Sequence, residues 1–366
     1  MKTVDICDII IENTINDWRN SMTPKSKREQ WEVPKYSKSE INKAGKIIAD
    51  PASSKEERNN ALAILNNWRA AHAYPLQVIC SNLRLRNQNA IVVQRLKRLD
   101  SITEKIKRFP TIQLYKMQDL GGCRVIVDTI DQVYEAIDKY KNSRIRHKLK
   151  REYDYIQNPK NSGYRSYHMV YQFHSDKKET YNKNMFIEIQ FRTKLQHIWA
   201  TALETMGVYT KTSLKSSIGN KDVLRFFILV SSVFALKENM PICPDTSENY
   251  NNLISEIKEI DNKLNIVSRL SALSVAIKYA NEKLNKEKGY FLLQLNLDKK
   301  ILHINKFTTG QIELATDIYN KIEALNNQSI DVVLVSATSF DTLKAAYPNY
   351  FTDISQFVSM MRGIVS

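Results

Sequence analysis

The strongest constraint on folding lies between about residues 91 and 206, where the hydrophobic period keeps changing. Strand-like runs at Arg124-Val125-Ile126-Val127, His168 to Phe173 and Met185 to Phe191 are separated by helix-like patterns. Those patterns run from Ile91 to Arg108, Asp131 to Lys141 and Lys194 to Met206, with a basic loop before His168. Strands and helices that alternate this way bury their apolar faces most simply as an α+β fold, a mixed β-sheet flanked by helices.

The flanks are helical extensions. Ser39-Glu40-Ile41 starts a short helix, Pro51-Ala52-Ser53-Ser54 breaks it, and Ser54-Lys55-Glu56-Glu57 caps a longer one. The longer helix places Ala61, Ile64, Leu65 and Trp68 on one face, and Pro75 ends or kinks it. Downstream, Leu253, Ile257, Ile260, Leu264 and Val267 form a heptad-like series read as one long packing helix reaching about Leu284. Two strands, Tyr290 to Leu297 and Ile301 to Asn305, flank an Asp298-Lys299 turn. A helix near Thr309 to Leu325 and a strand Val332 to Val335 complete a small ββαβ module. Ser339 caps a short helix that Pro348 stops. The expected division is an N-terminal helical region (1–85), a chemistry-bearing domain (86–240), connecting helices (241–284) and a C-terminal domain (285–366).

Lys and Arg number 54 against 39 Asp and Glu, a formal charge of +15. Such an excess either attracts polyanions, nucleotides and nucleic acids above all, or forms solvated lysine faces. Cys7, Cys80, Cys123 and Cys243 lie far apart without a C-x-x-C pair, so neither zinc nor a disulfide framework is legible and a reducing compartment follows. Acidic residues inside Met1 to Asp8 argue against a signal peptide, and Val223 to Leu236, interrupted by Arg225, is too short for a bilayer. A cytoplasmic protein without a membrane span is expected.

Chemistry concentrates in four segments. Arg95, Lys97, Ser101 and Lys105 read as the end of a helix whose cations either converge on one polyphosphate or form a solvated face. Asp119 and Glu188 each sit at the edge of an apolar strand, where a carboxylate is costly unless it binds a cation, accepts hydrogen bonds or acts as a base. Tyr164 follows Gly163 in a loop with Lys160 and Arg165, placed either to stack on a base or to pack. His168 and His197 alone say little.

In their order these segments resemble the synthetase domain of the RelA/SpoT family. The matching residues are Arg95-x-Lys97-x-x-x-Ser101-x-x-x-Lys105, Asp119-Leu120-Gly121-Gly122-Cys123-Arg124, Asn158-Pro159-Lys160-x-x-Gly163-Tyr164-x-Ser166-x-His168 and Glu188-Ile189-Gln190-x-Arg192-Thr193. The resemblance implies an ATP-dependent pyrophosphokinase. Arg95 and Arg124 would flank the adenine of ATP, Lys97, Ser101 and Lys105 would hold its phosphates, and Asp119 and Glu188 would bind Mg²⁺. Glu188 would also be the candidate base. Lys160, Tyr164, Arg165, His168, Gln190 and Arg192 would contact the acceptor, Tyr164 by stacking.

Two departures narrow the implied substrate. No His-Asp pair of the family's hydrolase domain occurs, and Arg151-Glu152-Tyr153-Asp154-Tyr155 lacks the lysine that alarmone synthetases commonly carry just before Asp-Tyr. The flanks look like toxic small alarmone synthetases, and the whole chain looks like a CapRel-type fused toxin and antitoxin. That resemblance implies transfer of pyrophosphate to the 3′ CCA end of tRNA as an anti-phage defence that blocks translation. A metal-free, zinc-finger-like C-terminal domain would restrain the toxin through Tyr347 and Tyr350, until a phage protein such as a major capsid protein engages it. Synthesis of (p)ppGpp or (pp)pApp on free nucleotides is the alternative.

Overall fold

Alternation along the central strands gives the sheet one dry face and one charged face. The computed structural model describes residues 10, 14, 31–210, 220–274, 278–279, 289–296, 301–325, 330–337, 342–343 and 354–365. Three helices come first: α1 (Lys38–Ala49), α2 (Lys55–Ala71) and α3 (Ala73–Arg86). Ser37 with Glu40 and Ser54 with Glu57 form reciprocal capping boxes at the starts of α1 and α2. Pro75 lies in the first turn of α3, where its missing N–H is harmless.

The central elements are β1 (Ile91–Leu96), α4 (Leu99–Arg108), β2 (Gly121–Val127), α5 (Ile130–Lys141), β3 (Lys148–Asp154), β4 (Tyr167–Gln172) and β5 (Phe186–Thr193). Strand β2 pairs antiparallel with β1 and parallel with β5, while β4 joins β5 and β3 joins β4, both antiparallel. Val92, Val125, Ile187, Ile189 and Met169 project from one face into a core closed by Leu65, Trp68, Ile79, Ile102 and Val133 of the helices. This is the predicted α+β architecture.

A second core is helical. It is built from α6 (Lys194–Thr210), α7 (Lys221–Lys237), α8 (Tyr250–Leu264), α9 (Ile266–Ser274) and the last helix, α11 (Ser355–Val365). Phe357 of α11 stacks on Phe227 of α7 at 5.8 Å between ring centroids.

The ββαβ module is present as β7 (Gly289–Asn296), β8 (Ile301–Phe307), α10 (Ile312–Ala324) and β9 (Ile330–Ala337), with β6 (Lys278–Tyr279) beside β8. It continues the central sheet. β9 pairs antiparallel with β1, Gln94 opposite Ser336 and Arg95 opposite Val335, giving nine strands in the order β3-β4-β5-β2-β1-β9-β7-β8-β6. Helix α10 covers one face of the module, and its other face shares a core with Val93 and Ile126 of β1 and β2.

Three expectations need correction. Ile91 to Arg108 is a strand, a bend and a helix, because the β-branched run Ile91-Val92-Val93 prefers the pleated sheet. The basic segment containing Arg151 is β3, an edge strand so exposed that it shows no apolar alternation. The long packing helix stops at Asn265, whose left-handed φ of 53° breaks it into α8 and α9, and Lys278–Tyr279 beyond is a strand. Asp119 lies in the turn just before β2, at the edge of that strand as expected. Ser339, Tyr347, Tyr350 and the Asp298-Lys299 turn lie outside the described residues. Among the described residues no helix is long and apolar enough to cross a membrane.

Because Phe357 joins the last helix to the core of α6 and α7, Phe357→Ala is expected to lower stability by about 3–5 kcal/mol. Chemical denaturation followed by tryptophan fluorescence, which reports Trp199 in that core, measures the loss.

Candidate active site

Two neighbouring rungs of the sheet carry the polar residues singled out by the sequence. Arg95, Gly122 and Glu188 face one another across β1, β2 and β5. The next rung sets Val93, Arg124, Gln190 and His168 in line, and Tyr153 of β3 pairs with His168. Since side chains alternate, both rungs point away from the dry core. Arg95, Lys97, Asp119, Gly122, Arg124, Glu188 and Gln190 border an open cleft of about 140 Å³.

The predicted cation series converges by a different route from the one expected. Arg95 and Lys97 are neighbours on one side of the β1 end, whereas Ser101 and Lys105 share a face of α4 beside the cleft, outside its lining. Asp119 gathers the two lysines: its oxygens lie 3.0 Å from Lys97 Nζ and 2.9 Å from Lys105 Nζ. Burial pushes the Asp119 carboxyl up, but the two ammonium groups prevail and hold it below its ordinary value. Lys97 is drawn down by the same burial despite its partner.

Glu188 is held by His168 Nδ1 at 3.0 Å and by Gln190 Nε2 at 2.7 Å. Burial opposes its charge, yet these donors, with His168 the stronger, keep the carboxyl ionised down to about 2. His168 Nε2 in turn meets the Tyr164 hydroxyl at 2.9 Å, so a hydrogen-bonded chain runs Tyr164–His168–Glu188. Arg192 donates to the same hydroxyl, and its guanidinium lies 5.0 Å from the Tyr164 ring centroid. Burial disfavours a tyrosinate, but Arg192 and His168 outweigh it and pull Tyr164 to about 7. Tyr164 and Glu188 raise His168 against its burial.

Next to this chain is an aromatic platform that the sequence reading missed. Tyr153 and Tyr155 stack with planes 3° apart, and Lys160 Nζ lies 4.2 Å from the Tyr155 ring. The Tyr-x-Tyr spacing at the end of β3 was the available signal. Arg165, expected to contact the acceptor, is instead buried and pins the scaffold through Ser231 at 3.0 Å, the Ile156 carbonyl at 3.1 Å and Cys243 at 3.5 Å. Gly163 likewise serves packing: its φ is +83°, and a Cβ there would stand 3.0 Å from Trp199 and 3.1 Å from Ser231. His197 is buried on α6.

Among the described residues no cluster of three or more His, Cys, Asp or Glu gathers to hold a metal. Asp119 and Glu188, both ionised and bordering one cleft, still fit Mg²⁺, which takes few protein ligands and completes its shell with water and phosphate.

Residues 94–213 match the family model described as a region found in RelA / SpoT proteins. Over those residues the chain is similar to that region. GTP pyrophosphokinase YjbM of Bacillus subtilis (strain 168) is 34% identical over 114 residues, which are 30% of this chain and 52% of that protein. GTP pyrophosphokinase YwaC of the same organism is 31% identical over 114 residues, 29% of this chain and 52% of its own. The chain thus spans about half the length of the curated relatives it matches. A solved GTP pyrophosphokinase family protein from Streptococcus pneumoniae is 26% identical, covering 45% of this chain and 84% of its own with a TM-score of 0.39. Small alarmone synthetase 1 from Bacillus subtilis is 23% identical, with coverages of 45% and 90% and a TM-score of 0.37.

Two outcomes test the site. At Gly122 an added Cβ meets only the Glu188 carbonyl, at 3.9 Å, so Gly122→Val is expected to fill the cleft with a stability change within about 0.5 kcal/mol. Under the ATP reading proposed below, calorimetric titration with ATP should then show binding lost while thermal melting stays put. Glu188, with its carboxyl lowered from 4.5 to about 2, contributes stability that is present above pH 4.5 and is lost as pH falls toward 2. Acid titrations of the native chain and Glu188→Gln should therefore differ by that limb.

Proposed function

We propose that the chain is an ATP-dependent pyrophosphokinase that acts as a restrained toxin, transferring pyrophosphate to the 3′-hydroxyl of the tRNA CCA end. The observation that carries the reading is the pair of rungs: donor-type cations and both carboxylates on one side, the aromatic chain of Tyr164 and His168 on the other, meeting at Glu188. ATP would lie in the cleft with its base between Arg95 and Arg124 and its phosphates on Lys97, Ser101 and Lys105. Mg²⁺ on Asp119 and Glu188, when bound, would offset the charge of the phosphates. The acceptor base would stack on Tyr164, with Lys160, Gln190, Arg192 and His168 around it.

Transfer is then in-line attack by the acceptor hydroxyl on the β-phosphorus, with AMP leaving. The loose transition state of phosphoryl transfer asks little of a base. A carboxylate held near 2 suits it as an acceptor that orients the hydroxyl more than as a strong proton acceptor. His168 fixes that carboxylate, and Tyr164 fixes His168.

An RNA acceptor is supported by the exposed edge strand β3, where Lys148, Lys150 and Arg151 lie on the acceptor side next to β4. It would also explain the net charge of +15. The names of the two relatives, both GTP pyrophosphokinases, favour a second reading in which a free guanosine nucleotide is the acceptor.

In the toxin reading Tyr347 and Tyr350 restrain the site by competing for the adenine pocket, and a phage protein that engages the C-terminal domain releases them. The described residues that bracket them in sequence are buried in two cores: Leu343 in the one that contains Val93 and Ile126, and Ile354 in the one against which Tyr164 packs.

Incubation with γ-labelled ATP and either tRNA or GDP separates the readings; label confined to guanosine nucleotides would sink the tRNA acceptor. Tyr164→Ala and Glu188→Gln are each expected to cut transfer by at least about a hundredfold. Since β9 and α11 belong to the cores of the enzyme, removing the C-terminal part would damage the fold. The restraint is better tested by Tyr347→Ala with Tyr350→Ala in the full chain, expected to raise transfer activity and toxicity.

A further inference from the structure

Arg69 and Glu323 are far apart in sequence and outside the matched residues 94–213, yet they meet at the bend between β1 and α4. Arg69 of α2 and Glu323 of α10 form a buried ion pair, with Arg69 Nη1 2.5 Å from Glu323 Oε2. The guanidinium also donates to Asn66 at 3.1 Å and to Asn320, and lies 4.8 Å from the Tyr319 ring centroid. The Tyr319 hydroxyl donates to Glu323 at 3.0 Å.

Both groups hold the backbone of the bend. Arg69 Nη1 donates to the Lys97 carbonyl at 3.4 Å, and Glu323 Oε1 accepts the Leu99 N–H at 2.5 Å. Leu99 is the first residue of α4, and the Arg98 side chain provides no cap there. A carboxylate from the C-terminal module supplies it, in line with the positive end of the helix. Arg98 itself pairs with Asp331 of β9.

We propose that Arg69 and Glu323 are positioning residues for the donor site. By fixing the carbonyl of residue 97 and the N–H of residue 99, they set the angle between the end of β1, which presents Arg95 and Lys97, and the helix that presents Ser101 and Lys105. The C-terminal module thereby completes the donor site without touching the nucleotide. The inference rests on reading the cleft as an ATP site.

The full chain, Glu323→Gln, Arg69→Lys and Leu293→Ala are compared. Leu293→Ala opens the core of the same module without touching the bend. Two quantities are read: amide exchange across Leu99 to Ile102, and the Kd for α,β-methylene ATP. Glu323→Gln is expected to speed exchange in the first turn of α4 and to raise the Kd about tenfold. Arg69→Lys, which keeps the charge and loses the fork, should act in the same direction and serves if Glu323→Gln fails to fold. Leu293→Ala should lower the melting temperature and leave both readings unchanged. Equal effects from Leu293→Ala, or none from the two clamp variants, would overturn the proposal. If no variant nor the native chain binds the analogue while exchange still accelerates, the clamp stands and the ATP reading of the cleft falls.

Discussion

The parallel pairing of β2 with β5 is the constraint on which the site depends. It sets Gly122 opposite Glu188 and Arg124 opposite Gln190, so a strand with no side chain at the critical rung lies beside one that carries the carboxylate. A slip of one residue would send Glu188 into the apolar core and Ile187 into the cleft. The register is secured from behind, where Ile187, Ile189 and Phe191 are fully buried against the helices. Function on the wet face is therefore specified by packing on the dry one.

Asp119, Glu188 and Tyr164 each face a basic partner at the site. Asp119 holds two lysines, Glu188 holds a histidine, and Tyr164 lies under an arginine. Such pairing keeps the cations in place against their mutual repulsion.

What was legible in the sequence followed burial. β4, β5, α5, α6, α7 and the ββαβ module announce themselves through apolar periodicity, and the capping boxes through Ser and Glu at fixed spacing. β1 misled because Val92 and Val93 are both buried, one on each face, which erases alternation in a central strand. β3 was hidden for the opposite reason, since an exposed edge strand has no apolar side to show. Of the candidate site residues, those on the two rungs come together in space, while Arg165 could be told from a ligand-facing arginine only by knowing that Ser231 and Cys243 lie beside it. The Arg69–Glu323 contact, spanning more than two hundred positions, leaves no local trace.

The join between β1 and β9 rests on two residue pairs, against six between β1 and β2 and eight between β7 and β9. The β6–β8 pairing is equally short but lies at the outer edge, so among the described residues β1–β9 is the shortest interior ladder. Opening along this line would split nine strands into two groups and would also have to break the core around Val93 and Ile126 and the Arg69–Glu323 and Arg98–Asp331 pairs. One of the two residues of β1 on that line is Arg95, so such an opening would reach a rung that borders the cleft.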